Sequence, residues 1–114
     1  MSHVIKSDKI YKGSIPSGNP IGYIKDKKIY NGYQVGTGKV LGYVKDELIY
    51  NGYQIGTGKV VGYVKNGKIY KGYAVGVGSI LNVNSNIKSK LKNSEKYDLT
   101  LMVAVYHFLI QRIF

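Results

Sequence analysis

Lysine stands at positions 25, 45 and 65 of the 114-residue chain, and each follows a tyrosine by two residues: Tyr23, Tyr43 and Tyr63. An ammonium group attracts phosphate or carboxylate, and a phenol ring offers a face for stacking on a base or a sugar. Gathered on one surface, these six side chains would form rings of positive charge and aromatic area. Such rings suit an anionic ligand: nucleic acid, a nucleotide-like molecule or an anionic glycan. The same tyrosines also have a purely structural reading, as cross-strand pairs such as Tyr23 with Tyr30 that hold a hairpin together.

The net charge agrees with an anionic ligand. Seventeen Lys plus Arg stand against six acids, giving +11, and only Arg112 is an arginine. Part of this charge has a bland source, because a chain rich in Lys, Ile, Asn and Tyr also follows from AT-rich coding.

Catalytic chemistry finds little to work with. His3 and His107 are the only histidines, and neither has a serine or carboxylate at diagnostic spacing. Asp26, Asp46 and Glu47 fall where hairpin tips are expected, which suits solvated turns rather than a paired acid and base. Cysteine is absent, which removes disulfides and thiolate metal sites. No metal-ligand spacing is visible. Gly36-Thr37-Gly38-Lys39 and Gly56-Thr57-Gly58-Lys59 resemble phosphate-loop fragments, but valine follows each lysine and the third copy has Ser79 instead. A phosphate loop needs Gly-x-x-x-x-Gly-Lys-[Ser/Thr] opening a helix, so these are turns. The expectation is a non-enzyme with no cofactor.

The lysines and tyrosines recur because the chain repeats. Residues 21–40 read IGYIKDKKIYNGYQVGTGKV, residues 41–60 LGYVKDELIYNGYQIGTGKV, and residues 61–80 VGYVKNGKIYKGYAVGVGSI. A fixed period fixes the architecture. In the third copy Asn66-Gly67 separates two β-rich runs, the strongest short hairpin signal. Asp26-Lys27 and Asp46-Glu47 hold the same place and inherit the register. A two-residue loop then pairs Lys25 with Lys28, Ile24 with Ile29, Tyr23 with Tyr30 and Gly22 with Asn31. Alternation puts Ile24, Ile29, Tyr33 and Val35 on the expected core face, and Ile21, Tyr23, Tyr30, Lys25 and Lys28 on the other. The segment from Val4 to Gly13 is a worn fourth copy with Ser7-Asp8 in the turn. Pro16, Gly18 and Pro20 replace its Gly-x-Gly link, as capping repeats allow.

A lone hairpin is marginal in water, so the four must bury one another. Short links of constant length and the hazard of open edges favour a closed or nearly closed array. Repeats of the form GYIKDKKIYNG, GYVKDELIYNG and GYVKNGKIYKG, with VIKSDKIYKG as the worn copy, resemble the small bacterial four-fold and five-fold β-flower families. The resemblance covers about residues 3 to 80 and implies hairpins around a pseudo-rotational axis. It implies no activity.

After Ile80 the pattern ends. Residues 82–93 read as a polar, basic linker or a short solvated helix. Ser94 with Glu95 makes a helix start, and Tyr97 to Phe114 is apolar over most of a helix circumference, with Thr100, Ala104, His107 and Gln111 as one narrow stripe. Such a helix is buried on the repeats, buried on a sister subunit, or laid in lipid with Lys88 to Lys96 against anionic headgroups. Its 16 residues from Leu99 fall short of the ~20 that span a bilayer. No apolar leader precedes Lys12, which sets the expected location as cytoplasmic. The overall expectation is a mainly β protein with a C-terminal helix (β+α): a four-hairpin domain at residues 1–81, the linker at 82–93, and an apolar helix at 94–114. It would serve as a non-catalytic binding or assembly module. Its expected partners are an anionic ligand, a protein, a second copy joined through the helix, or a membrane.

Overall fold

The computed structural model describes residues 2–33, 36, 38–52, 58–74, 76, 78–94 and 97–114. Val35, Thr37, Gly56, Thr57, Val77, Glu95 and Lys96, which figured in the sequence expectations, lie outside the described residues.

All four hairpins form. They are β1 (His3–Lys6) with β2 (Lys9–Lys12), β3 (Gly22–Lys25) with β4 (Lys28–Asn31), β5 (Val40–Lys45) with β6 (Leu48–Asn51), and β7 (Lys59–Lys65) with β8 (Lys68–Lys71). Both central residues of every turn have positive φ, including Asp26 (52°), Lys27 (62°), Asp46 (51°) and Glu47 (67°). That is the type I′ requirement, so Asp-Lys and Asp-Glu adopt the geometry that Asn66-Gly67 adopts at less steric cost. The expected register is found: Gly22 opposite Asn31, Tyr23 opposite Tyr30, Ile24 opposite Ile29 and Lys25 opposite Lys28.

Consecutive hairpins also join edge to edge through one recurrent bond. The carbonyl of the second turn residue accepts an N–H from the next hairpin: Asp8 from Ile24 (2.8 Å), Lys27 from Val44 (2.9 Å) and Glu47 from Val64 (3.0 Å). No hairpin follows the fourth. Its turn carbonyl, on Gly67, accepts instead from the side-chain Nδ2 of Asn84 at 2.8 Å. A short strand, β9 (Ser79–Leu81), pairs with β8 where a fifth hairpin would begin.

The chain then forms α1 (Asn84–Lys90) and a two-residue strand, β10 (Leu91–Lys92), which pairs in parallel with β1. The ten strands make one sheet in the order β10-β1-β2-β3-β4-β5-β6-β7-β8-β9. Of the expected closed or nearly closed array, full closure is not found: β9 and β10 are edges and do not pair with each other. The reason lies in the chain between them, which supplies a helix rather than a fifth hairpin. That helix also limits how flat the sheet can be. Nine steps of about 4.8 Å would separate the edges of a flat sheet by roughly 43 Å. The run from Leu81 to Leu91, mostly helical, reaches about 25 Å at most. The sheet curls, and α1 bridges its open side.

The concave face carries the core. Ile5, Ile10, Ile24, Ile29, Val44, Ile49, Val64 and Ile69 are all buried there, together with Ile87 and Leu91. Against them lies α2 (Leu99–Val105), continued by a π-helical turn at Tyr106–Ile110. Residues 102–107 are buried in succession, so this helix is covered around its whole circumference. The apolar helix thus packs on its own repeats. It begins at Leu99 rather than Ser94 and ends at Ile110 rather than Phe114, with extended backbone at Gln111. Ser94 instead accepts a turn bond from the Tyr97 N–H at 3.0 Å. The segment expected as a linker or a short solvated helix forms the short helix α1 and then β10, with Ile87 and Leu91 buried in the core.

Tyr33 departs from the expected core face and is 60% exposed. The strand ends at Asn31, and Gly32, with φ of 108°, breaks the alternation that would have turned Tyr33 inward.

Candidate functional site

The glycine at the second position of each intact copy explains how helix and sheet meet. Gly22, Gly42 and Gly62 share the concave face with Ile24, Val44 and Val64. A Cβ at Gly22 would lie 2.6 Å from Leu109 Cδ1, and one at Gly42 or Gly62 would strike the rings of Phe108 or Phe114. Three repeat positions are thus notches that receive three side chains from the C-terminal segment. The sequence held a signal, glycine at one repeat position within a strand, but nothing said which side chains would fill the space.

The convex face carries the candidate binding residues, in two layers. Tyr23, Tyr43 and Tyr63 are almost wholly buried and stack on Tyr30, Tyr50 and Tyr70, with ring centroids 4.7–4.8 Å apart and planes within 8–11°. Their hydroxyls are engaged as well. Tyr23 accepts the N–H of Gly36 at 3.0 Å and of Gly38 at 3.1 Å, and Tyr63 accepts those of Gly76 (3.1 Å) and Gly78 (2.9 Å). Tyr43 accepts the Gly58 N–H at 3.0 Å. The structural reading of these tyrosines is what the geometry displays: each pins the link that follows its own hairpin. Their rings lie beneath the surface, where a base could not stack on them.

Lys25, Lys45 and Lys65 are exposed beyond the tyrosines, toward the hairpin tips. Register sets them against further lysines. Lys6 faces Lys9, Lys25 faces Lys28 and Lys65 faces Lys68, while Lys45 faces Leu48. Like charges directly opposite one another are destabilising in an antiparallel pair. In the third copy this layer borders a cleft of about 310 Å³ lined by Tyr63, Lys65, Asn66, Tyr70, Gly76 and Gly78. The structure thus brings lysines and tyrosines to one face but at different depths, with the lysines exposed and the tyrosines buried.

The two histidines are both buried. Burial, and then Lys12, hold His3 below the ordinary histidine range, and its Nδ1 has no hydrogen-bond partner. His107 is 7% exposed, and its Nδ1 accepts the N–H groups of Ile113 (3.0 Å) and Phe114 (3.2 Å). Burial, with a smaller contribution from Arg112, lowers its pKa from 6.5 to about 4. The Tyr97 hydroxyl donates to Asp8 Oδ1 at 2.8 Å and accepts the Asp8 N–H at 3.1 Å, tying the first hairpin tip to the segment before α2. Burial and the bond to the Asp8 side chain push the Tyr97 phenol up.

Among the described residues, no group of three or more His, Cys, Asp or Glu could hold a metal ion, and no helix is long and apolar enough to cross a membrane. No family model, curated protein or solved structure matches the chain.

Proposed function

We propose that the protein is a non-catalytic β-repeat module, of the β-flower kind in its tandem hairpins, that binds an anionic partner through the lysines of its convex face. One observation carries this reading. Three of four hairpins set two lysines directly opposite each other at their tips. Folding alone gains nothing from that arrangement, and a bound polyanion would turn its repulsion into attraction. The tyrosines serve as scaffold, so contacts are to charge rather than to bases. The C-terminal helix spends its apolar surface on its own repeats, which favours a self-contained module over one assembled or anchored through that helix.

Fluorescence anisotropy with a labelled single-stranded oligonucleotide and with labelled heparin tests the reading. Affinity should fall steeply as salt rises. Lys25→Gln with Lys65→Gln should weaken binding more than Lys88→Gln with Lys92→Gln, which removes equal charge elsewhere. Equal losses from the two pairs, or no binding at low salt, would refute the assignment to this face.

A further inference from the structure

A second site uses none of the lysines. Where the C-terminal helix ends, a cleft of about 410 Å³ opens between the third hairpin and the chain's last residues. Leu41, Phe108 and Ile110 supply apolar wall, while Asn51, His107 and Arg112 supply polar groups.

The local backbone accounts for this grouping. The helix passes into a π turn at Tyr106–Ile110, which adds a residue to the turn and re-aims the side chains around it, a device frequent at functional sites. The chain then leaves in extended form at Gln111 and folds back, because the Ile113 and Phe114 N–H groups both donate to His107 Nδ1. Those two bonds decide the tautomer. With Nδ1 accepting, a neutral imidazole carries its proton on Nε2, so a buried ring on the cleft wall holds a fixed donor. Gln111 is already engaged, since its Oε1 accepts the Tyr106 hydroxyl at 3.0 Å. Arg112, the only arginine in the chain, borders the same cleft and is exposed. Its guanidinium presents a planar fork matched to a carboxylate.

We propose that this cleft binds a small organic carboxylate bearing an apolar group. Arg112 takes the carboxylate, the His107 Nε2–H donates to one of its oxygens, and Leu41, Phe108 and Ile110 receive the apolar part. A donor pair beside an apolar wall, with no Asp or Glu among the described residues that line the cleft, fits this class better than a bare inorganic anion or a neutral hydrocarbon.

Phenylacetate, its neutral relative 2-phenylethanol, and inorganic phosphate are the probes, with the ring Cε1–H resonances of the two histidines as the readout. Phenylacetate should move the His107 resonance saturably at millimolar concentration and leave that of His3 in place. 2-Phenylethanol and phosphate should each bind about tenfold more weakly or worse. Arg112→Gln should weaken phenylacetate by about tenfold without changing thermal unfolding, because Arg112 is exposed, and Arg112→Lys should recover part of the loss. A stationary His107 resonance would overturn the proposal. So would phenylethanol or phosphate binding as well as phenylacetate, or an Arg112→Gln variant that binds normally.

Discussion

The hydroxyl of Tyr23 accepts the backbone N–H of Gly38 at 3.1 Å, across 15 residues of chain, while its ring stacks on Tyr30. One side chain therefore braces its own hairpin and fixes the start of the next. The first hairpin supports the point by contrast. It has Val4 where the others have tyrosine, and there Pro16 and Pro20 replace the Gly-x-Gly link. Phenol and link are present together or absent together. In the third copy, Tyr63→Phe should leave the Gly76 and Gly78 N–H groups without their acceptor and cost about 1–2 kcal/mol. Urea denaturation should show a lower midpoint at unchanged slope.

Glu47 is held at φ of 67° in the turn of the third hairpin, where glycine is comfortable and a larger residue is strained. Glu47→Gly should raise stability by about 0.5–1 kcal/mol, the relieved strain exceeding the added freedom of the unfolded chain. A rise in urea midpoint checks this. Gly67→Val, at φ of 74°, should move the midpoint the other way.

Gly42 leaves room for the Phe108 ring against the sheet. Gly42→Ala should destabilise by about 1–3 kcal/mol, since the methyl meets both that ring and the Tyr50 carbonyl. Gly36→Ala tests a different cause, because its φ of 96° strains any side chain although nothing crowds the space. Thermal melts of both variants, with Phe108 ring shifts by NMR, separate the two. The ring should move only in Gly42→Ala.

His107 makes stability fall with acidification. Its pKa lies at about 4 in the folded chain and 6.5 as the ordinary value, so the unfolded chain binds the proton first. The neutral ring's advantage is intact above the ordinary value and is lost as pH falls toward the folded one. The loss should be roughly 1–2 kcal/mol after allowance for solvent screening. His3, also lowered, adds in the same direction. His107→Gln should flatten the wild-type decline between about pH 6.5 and 4.5 in urea titrations.

Much of the fold could be read from the chain because the repeat supplies its own register. Once Asn66-Gly67 marked a turn, pairing followed for every copy, down to Gly22 opposite Asn31. The Ile24 and Ile29 core face followed from alternation. Two kinds of feature stayed hidden. One depends on partners remote in sequence, such as Gly42 with Phe108 or Gly67 with Asn84. The other depends on which end of an apolar run folds as helix. Ser94 looked like a cap, yet the helix waits until Leu99, where core space begins. At the candidate site, a sequence pattern placed Lys25 and Tyr23 on one face, and it did so correctly. It could not place them at different depths, because the link that covers Tyr23 is laid down only when its hydroxyl captures Gly36 and Gly38.

The span from Leu81 to Leu91 acts as a chord drawn across an arc. Tandem duplication of one more 20-residue copy would lengthen the arc by two strands and push its ends beyond what that chord can subtend. It would also leave Asn84 guarding a carbonyl that a newcomer's backbone should occupy. The gauge of this assembly is thus written outside the repeats, and change in copy number must be matched by change in the segment that measures it.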